Sequence, residues 1–203
     1  SNYPTSSQWT IYQAEQQAKS SAQTAISTAQ SLISDAQSKI NNAQTKIDEA
    51  KNLGADISSA QSYKDKANTD LQNAQTFLSG AQSAFNSNDY STANSKAQQT
   101  QTSATSAKNN ADQAVTIATQ LIESVNKAKT EAQNSVSDAK SKVDRAKELI
   151  KKAEDIISSA DVLGLDTLKP KADLDTGKAK LDSASNYYTE ASTALSQNNF
   201  DKY

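Results

Sequence analysis

Cysteine, histidine and methionine do not occur in the 203 residues. Without cysteine there is no disulfide and no thiolate. Without histidine there is no imidazole ligand or base. Thiol and imidazole metal sites and nucleophile–base pairs built on these residues are therefore excluded. A cytosolic protein can also lack cysteine, so its absence leaves the compartment open. Glycine (4) and proline (2) are nearly missing, which leaves little turn material and implies few, long elements. Aromatics make up 5% and hydrophobic residues 35%, below the roughly 45–50% apolar content of ordinary globular domains. No stretch approaches the ~20 apolar residues of a membrane-spanning helix, so direct membrane insertion by this chain is not expected. The 21 basic and 23 acidic residues nearly cancel to −2 and form no basic stripe, so no nucleic-acid partner is expected. The chain begins at Ser1 and contains no methionine, so the expectation is a processed or excised segment, by removal of a signal peptide or from a longer protein.

Alanine, serine, glutamine, asparagine, threonine and lysine make up most of what remains, a composition compatible with disorder. The order of those residues argues otherwise. Asn88 and Tyr90 are matched by Asn198 and Phe200, 110 positions further on. The same offset, without gaps, carries Ile26, Ile33, Ile40 and Ile47 onto Val136, Val143, Ile150 and Ile157. It carries Ala22, Ala29, Ala36, Ala43 and Ala50 onto Ala132, Ala139, Ala146, Ala153 and Ala160. Leu53-Gly54 falls on Leu163-Gly164, and Asp56 on Asp166. Further along, Leu71, Ala74, Phe77, Ala81, Ala84 and Phe85 fall on Leu181, Ala184, Tyr187, Ala191, Ala194 and Leu195. The chain therefore holds an internal repeat concentrated at its apolar positions.

Within a repeat the isoleucines recur every seventh residue, and an alanine follows each by three. That is a heptad seam with isoleucine at one core position and alanine at the other. It predicts a first helix over about 7–52, ended by Gly54, and a second running from a cap at Asp56 to about 86. Asn88 is then expected to cap a third helix with Tyr90 and Ala93 on its inner face. Neither glycine nor proline interrupts residues 81–163, and the 3-4 spacing continues through Ala128, Ala132, Val136 and Ala139, with one stutter that locally unwinds a supercoil. The third helix of repeat one should thus flow into the first helix of repeat two, over ~88–161 and on the order of 110 Å. A turn at Gly164 and a returning helix to about Gln197 follow, with Pro170 tolerated in its first turn.

The expected fold class is all-α: an elongated tandem three-helix-bundle or coiled-coil rod. Two 110-residue repeats share one long continuous helix, and the second repeat is truncated. The expected organisation is an N-terminal extension (1–9), a first three-helix repeat (10–118), and the first two helices of a second (119–203). Three helices, this period and a helix shared between neighbours resemble spectrin-type repeats, although the alanine-rich seam departs from that family's larger core residues. The stretch Asn88-Asp89-Tyr90-Ser91-Thr92-Ala93 resembles the helix starts of tetratricopeptide-like hairpins, whose period of ~34 residues does not match. Composition and repeat style are similar to helical stalk segments of prokaryotic surface proteins, including archaeal surface-layer anchors and adhesins. That resemblance implies a spacer or stalk in a secreted or cell-surface protein.

No residue is expected to be catalytic, to bind a cofactor or to hold a metal, and no enzyme activity is expected. The paired acids Asp48-Glu49 and Glu154-Asp155 diverge as helix neighbours and face water. The basic run Lys140, Lys142, Arg145, Lys147, Lys151 and Lys152 is interleaved with acids and reads as a solvated face. Phe77, Phe85, Tyr90, Tyr187, Tyr188 and Phe200 are expected to plug bundle ends. Only 22% of residues are charged, and the serine, threonine, glutamine and asparagine coat suits an external, acidic or salty medium, with the cytoplasm as the alternative. The expected partners are other protein segments or chains, including self-association at the unfinished second repeat. A helical protein-binding module, for which Trp9, Tyr12 and Tyr63 are the exposed apolar candidates, and an intracellular stress-type helical protein are the alternatives to a stalk.

Overall fold

The computed structural model describes residues 5–197, so Asn198 and Phe200, the second copy of the Asn88/Tyr90 pair, lie outside the described residues. All regular structure in this range is α-helical: α1 (Ser6–Asn52), α2 (Ser58–Asn86), α3 (Tyr90–Val162) and α4 (Leu168–Ser196). The chain divides into two units, Ser1–Glu123 and Ser124–Tyr203, and the division falls inside α3.

Each helix boundary has a local cause. Thr5 opens α1 with a capping box: its Oγ1 accepts from the Gln8 backbone N–H (3.3 Å), and its own N–H donates to Gln8 Oε1 (2.8 Å). At the other end Gly54 has φ +83°, the Gly54 N–H donates to Lys51 O (2.9 Å), and the Ala55 N–H donates to Ala50 O (3.1 Å). This pair of bonds is a Schellman closure, and its left-handed residue is a glycine because a Cβ there would be strained. The same closure recurs at Gly164 (φ +73°), with Gly164 N–H on Asp161 O (3.0 Å) and Leu165 N–H on Ala160 O (3.1 Å). Asp56 does not occupy the cap of α2, which falls to Ile57 with no side-chain cap bond; one place earlier, its Oδ1 accepts from the Ser58 N–H (3.0 Å), as Asp166 Oδ1 accepts from the Leu168 N–H (3.1 Å).

The α2–α3 junction corrects one expectation. Asn88 does not cap α3. It sits at φ +61° and closes α2, its N–H on Phe85 O (3.0 Å) and the Asp89 N–H on Ala84 O (2.9 Å). Asparagine is among the few residues that enter the left-handed region readily, so it serves here as glycine does at the other two turns. The cap falls to Asp89, whose Oδ1 accepts from the Thr92 N–H (3.0 Å).

In unit 1, α1, α2 and the early part of α3 share one core. Ala36, Ile40, Ala67, Leu71, Ala107 and Ala111 form its middle. Ala43, Ile47, Ala60, Ala114 and Ala118 form a second cluster, with Tyr63 partly buried against it. Ala22, Tyr90 and Ala93 form a third, where Phe85 meets Tyr90 edge-on at 5.4 Å. Thr100 takes an alanine place in the α3 seam. It is fully buried, and its hydroxyl is satisfied by donating to Lys96 O (2.9 Å).

In unit 2, α4 returns beside the later part of α3. Lys171 and Lys178 of α4 pair with Asp161 (2.5 Å) and Glu154 (2.6 Å) of α3. Gly177 stands where unit 1 has Ala67, and the Ile150 side chain lies 3.0 Å from where a Cβ would be. Only Val143, Thr167 and Ala194 are buried among the described residues of this unit.

Hydrogen-bonded carboxylates make stability depend on acid. The Ser58 hydroxyl and N–H hold Asp56 below the usual aspartate range, and the Thr92 N–H and hydroxyl do the same for Asp89. At Asp112 burial opposes ionisation, but hydrogen bonds from Lys39 and Lys108 outweigh it and the net direction is down. A carboxyl whose folded pKa is depressed stabilises the fold above its unfolded value, about 3.9, and that contribution is lost as pH falls through the folded value. Thermal melts followed by circular dichroism should therefore show the midpoint falling between about pH 5 and pH 2. Asp89→Asn, which keeps a capping oxygen but cannot titrate there, should shallow that fall.

Candidate functional site

An apolar surface groove lies within unit 2, along the face of the α3–α4 pair. It is a groove of about 830 Å³, walled on one side by Ala128, Ala132, Val136, Ala139 and Val143, and on the other by Ala184, Tyr187, Tyr188, Ala191 and Leu195. Glu131, Ser135 and Lys142 stand at its margin. The apolar lining has the spacing of a helix seam: on each helix the residues fall three or four apart and present one stripe.

The aromatics expected as plugs divide between the units. In unit 1 Tyr90 is buried and Phe77 and Phe85 are half-buried, with Lys96 Nζ 5.8 Å from the Phe77 ring. In unit 2 Tyr187 is 69% exposed and Tyr188 half-buried, so neither plugs a core. Both border the groove instead. The physical reason is that unit 1 supplies a third helix to cover Phe77, and the described part of unit 2 has none.

Exposure elsewhere follows the same division. Among the described residues ten large hydrophobic side chains are exposed, and seven of them belong to unit 2: Leu149, Ile156, Val162, Leu163, Leu165, Leu168 and Tyr187. Several replace polar residues of unit 1 at the repeat offset: Leu149 for Lys39, Ile156 for Lys46, Val162 for Asn52 and Leu168 for Ser58. The other three, Trp9, Ile11 and Tyr12, lie in the first turns of α1, where the Trp9 and Tyr12 rings stack at 5.6 Å. Tyr63, the third apolar candidate, is partly buried against the core, with Lys66 Nζ 4.9 Å from its ring.

Several of the charged candidates are paired in solvent. Gln44 Nε2 donates to Asp48 (2.8 Å), Lys46 pairs with Glu49 (2.7 Å), and Lys178 with Glu154 (2.6 Å). In the basic run, Lys140 pairs with Asp144 and Lys142 with Asp138, each at 2.7 Å and one helical turn apart. These hydrogen-bonded carboxylates hold both lysines above the usual range. Such exposed pairs add little to stability, because water and salt screen them. No group of three or more acidic side chains among the described residues is arranged to hold a metal ion, and no described helix is long and apolar enough to cross a membrane.

The alanines at the 110-residue offset mark the groove's walls, and Tyr187 and Ala184 stand exposed along it. Searches against protein families, characterised proteins and solved structures return no match to the chain.

The contrast between the units gives a direct comparison at matched positions. Ala74 is fully buried, whereas its counterpart Ala184 is exposed. Ala74→Glu forces a charge into the core and should cost several kcal/mol, about 3–5 by analogy with unpaired buried charges. Ala184→Glu should leave urea unfolding within about 0.5 kcal/mol of the parent.

Proposed function

We propose that this chain is a structural spacer, a stalk segment of a secreted or cell-surface protein, built of tandem three-helix repeats that share α3. One observation carries the reading. At an offset of 110 residues the chain repeats both its seam alanines and its turn chemistry: Gly54 and Gly164 close helices by the same two bonds, and Asp56 and Asp166 each accept from the residue two places on. Between these turns α3 runs as 73 helical residues. A module that repeats its length and its turns adds a fixed distance per copy, roughly 60 Å by the helix rise, and a shared helix passes orientation from one copy to the next.

The coat agrees with that role. Charged residues are only 22% of the chain, and many hydroxyl side chains on exposed faces donate to the carbonyl four residues back, as Thr24, Thr45 and Thr69 do. A neutral polar surface of this kind does not depend on ion pairs that salt or acid would weaken. A second role, as a protein-binding module, is favoured by the apolar groove of unit 2.

Small-angle X-ray scattering tests the spacer. A single straight helix of 73 residues is about 110 Å long, so a maximum dimension above that length is expected. A maximum dimension below about 80 Å would contradict an extended tandem arrangement.

A further inference from the structure

The two turns that repeat at the 110-residue offset share their closing glycines but differ in what crosses them. Asp161, next to last in α3, receives two bonds from beyond its turn. The Thr167 hydroxyl donates to its Oδ1, and Lys171 Nζ pairs with its Oδ2 at 2.5 Å. Thr167 is buried and opens α4 without a side-chain capping bond, its hydroxyl being given to Asp161. The Thr167 carbonyl accepts from the Lys171 N–H (3.0 Å). One carboxylate thus gathers the first turn of α4 onto the last turn of α3.

Unit 1 has none of these groups at the matched positions, which hold Lys51, Ile57 and Gln61. Ile57 packs against the core, and Gln61 donates to Asp65 of its own helix (3.0 Å). A lysine also suits the C-terminal end of a helix, whereas an aspartate there opposes the helix dipole. Asp161 is therefore kept against a local cost that its two partners offset. The other charged groups near the turn are engaged elsewhere. Lys169 pairs with Asp173 (2.8 Å), and Asp166 Oδ1 accepts from the Leu168 N–H (3.1 Å). One heptad back on the same face of α3, Glu154 pairs with Lys178, on which Asp175 of α4 also acts.

We propose that Asp161 is an acid-released clasp of the α3–α4 hairpin: as a carboxylate it ties the start of α4 to the end of α3, and as a carboxylic acid it loses Lys171 and lets α4 open from its turn end. The hydrogen bonds from Lys171 and Thr167 hold the Asp161 carboxyl below the usual aspartate range. Such a group stabilises the folded arrangement above its unfolded value, about 3.9, and that contribution is lost as pH falls through the folded value. The pair is half-exposed, so its weight in global stability is small. Local opening responds to it because little else holds these helices together: only Val143, Thr167 and Ala194 are buried among the described residues of unit 2.

Hydrogen exchange of the full chain tests the clasp, read as protection relative to the unstructured rate so that the effect of acid on the exchange chemistry cancels. The amides of Lys171, Ala172 and Asp173 are compared with those of Gln61, Ser62 and Tyr63, their matches in α2. From about pH 6 to about pH 2.5 the α4 set should lose about threefold to tenfold more protection than the α2 set. Asp161→Asn keeps an acceptor for Thr167 but cannot ionise. In that variant the α4 set should be less protected at pH 6, and the excess loss in acid should vanish. An equal acid response of the two sets in the parent overturns the clasp, and so does an excess loss that survives in Asp161→Asn. If α4 exchanges too fast to follow, the side-chain nitrogen resonance of Lys171 gives the same answer. It should titrate with a midpoint below about 3.9 in the parent and not in Asp161→Asn, and a parent without that titration overturns the proposal.

Discussion

Everything in this fold depends on how little an alanine buries. A methyl group removed from water contributes about 0.8 kcal/mol, against about 1.5–3 for a leucine or isoleucine side chain. A helix seamed with alanine cannot be held by one neighbour. It must be enclosed on two sides, with backbones close together, before its small side chains leave water altogether. Unit 1 meets that condition: Ala22, Ala29, Ala36, Ala43 and Ala50 on α1 are all fully buried, as are the seam alanines of α2 and the early part of α3. The few larger side chains, Ile40, Ile47, Leu71 and Tyr90, sit among them and each bury more apolar area than an alanine. Local terms supply the rest, since alanine has the highest helix propensity and loses no side-chain entropy on folding.

The same constraint explains why unit 2 looks different while carrying nearly the same seam. Ala132, Ala139, Ala146, Ala153 and Ala160 occupy the α1 positions of the repeat, yet none is fully buried in a pair of helices. Ion pairs between α3 and α4, Lys171 with Asp161 and Lys178 with Glu154, hold the hairpin at its turn end and add little when exposed. The open stripe and the exposed Tyr187 share one cause: among the described residues, unit 2 has no third helix to enclose its seam.

The helices themselves were legible from residue spacing, because heptads of isoleucine and alanine have only one periodic solution and the scarce glycines fall where turns are needed. Gly54 and Gly164 could be placed from the sequence for that reason. Asn88 could not. Asparagine serves both as a helix cap and as a left-handed closing residue, and Asn88-Asp89 offers two candidates for one cap. Only the backbone, with Asn88 at φ +61° and Thr92 bonded to Asp89, separates the two roles. Tyr187 was misplaced for a different reason. A seam pattern states which residues want burial, and it does not state whether a partner is present to bury them.

The central claim is that alanine seams become stable only when enclosed by three helices. Helices α2 and α4 are matched for the test: both have 29 residues and occupy the same place in the repeat. Amide hydrogen exchange of the full chain, followed residue by residue, compares them directly. The account predicts strong protection through Ala60–Ala81 of α2 and much faster exchange through Pro170–Ala191 of α4. Equal protection of the two helices in the free, monomeric chain would contradict it.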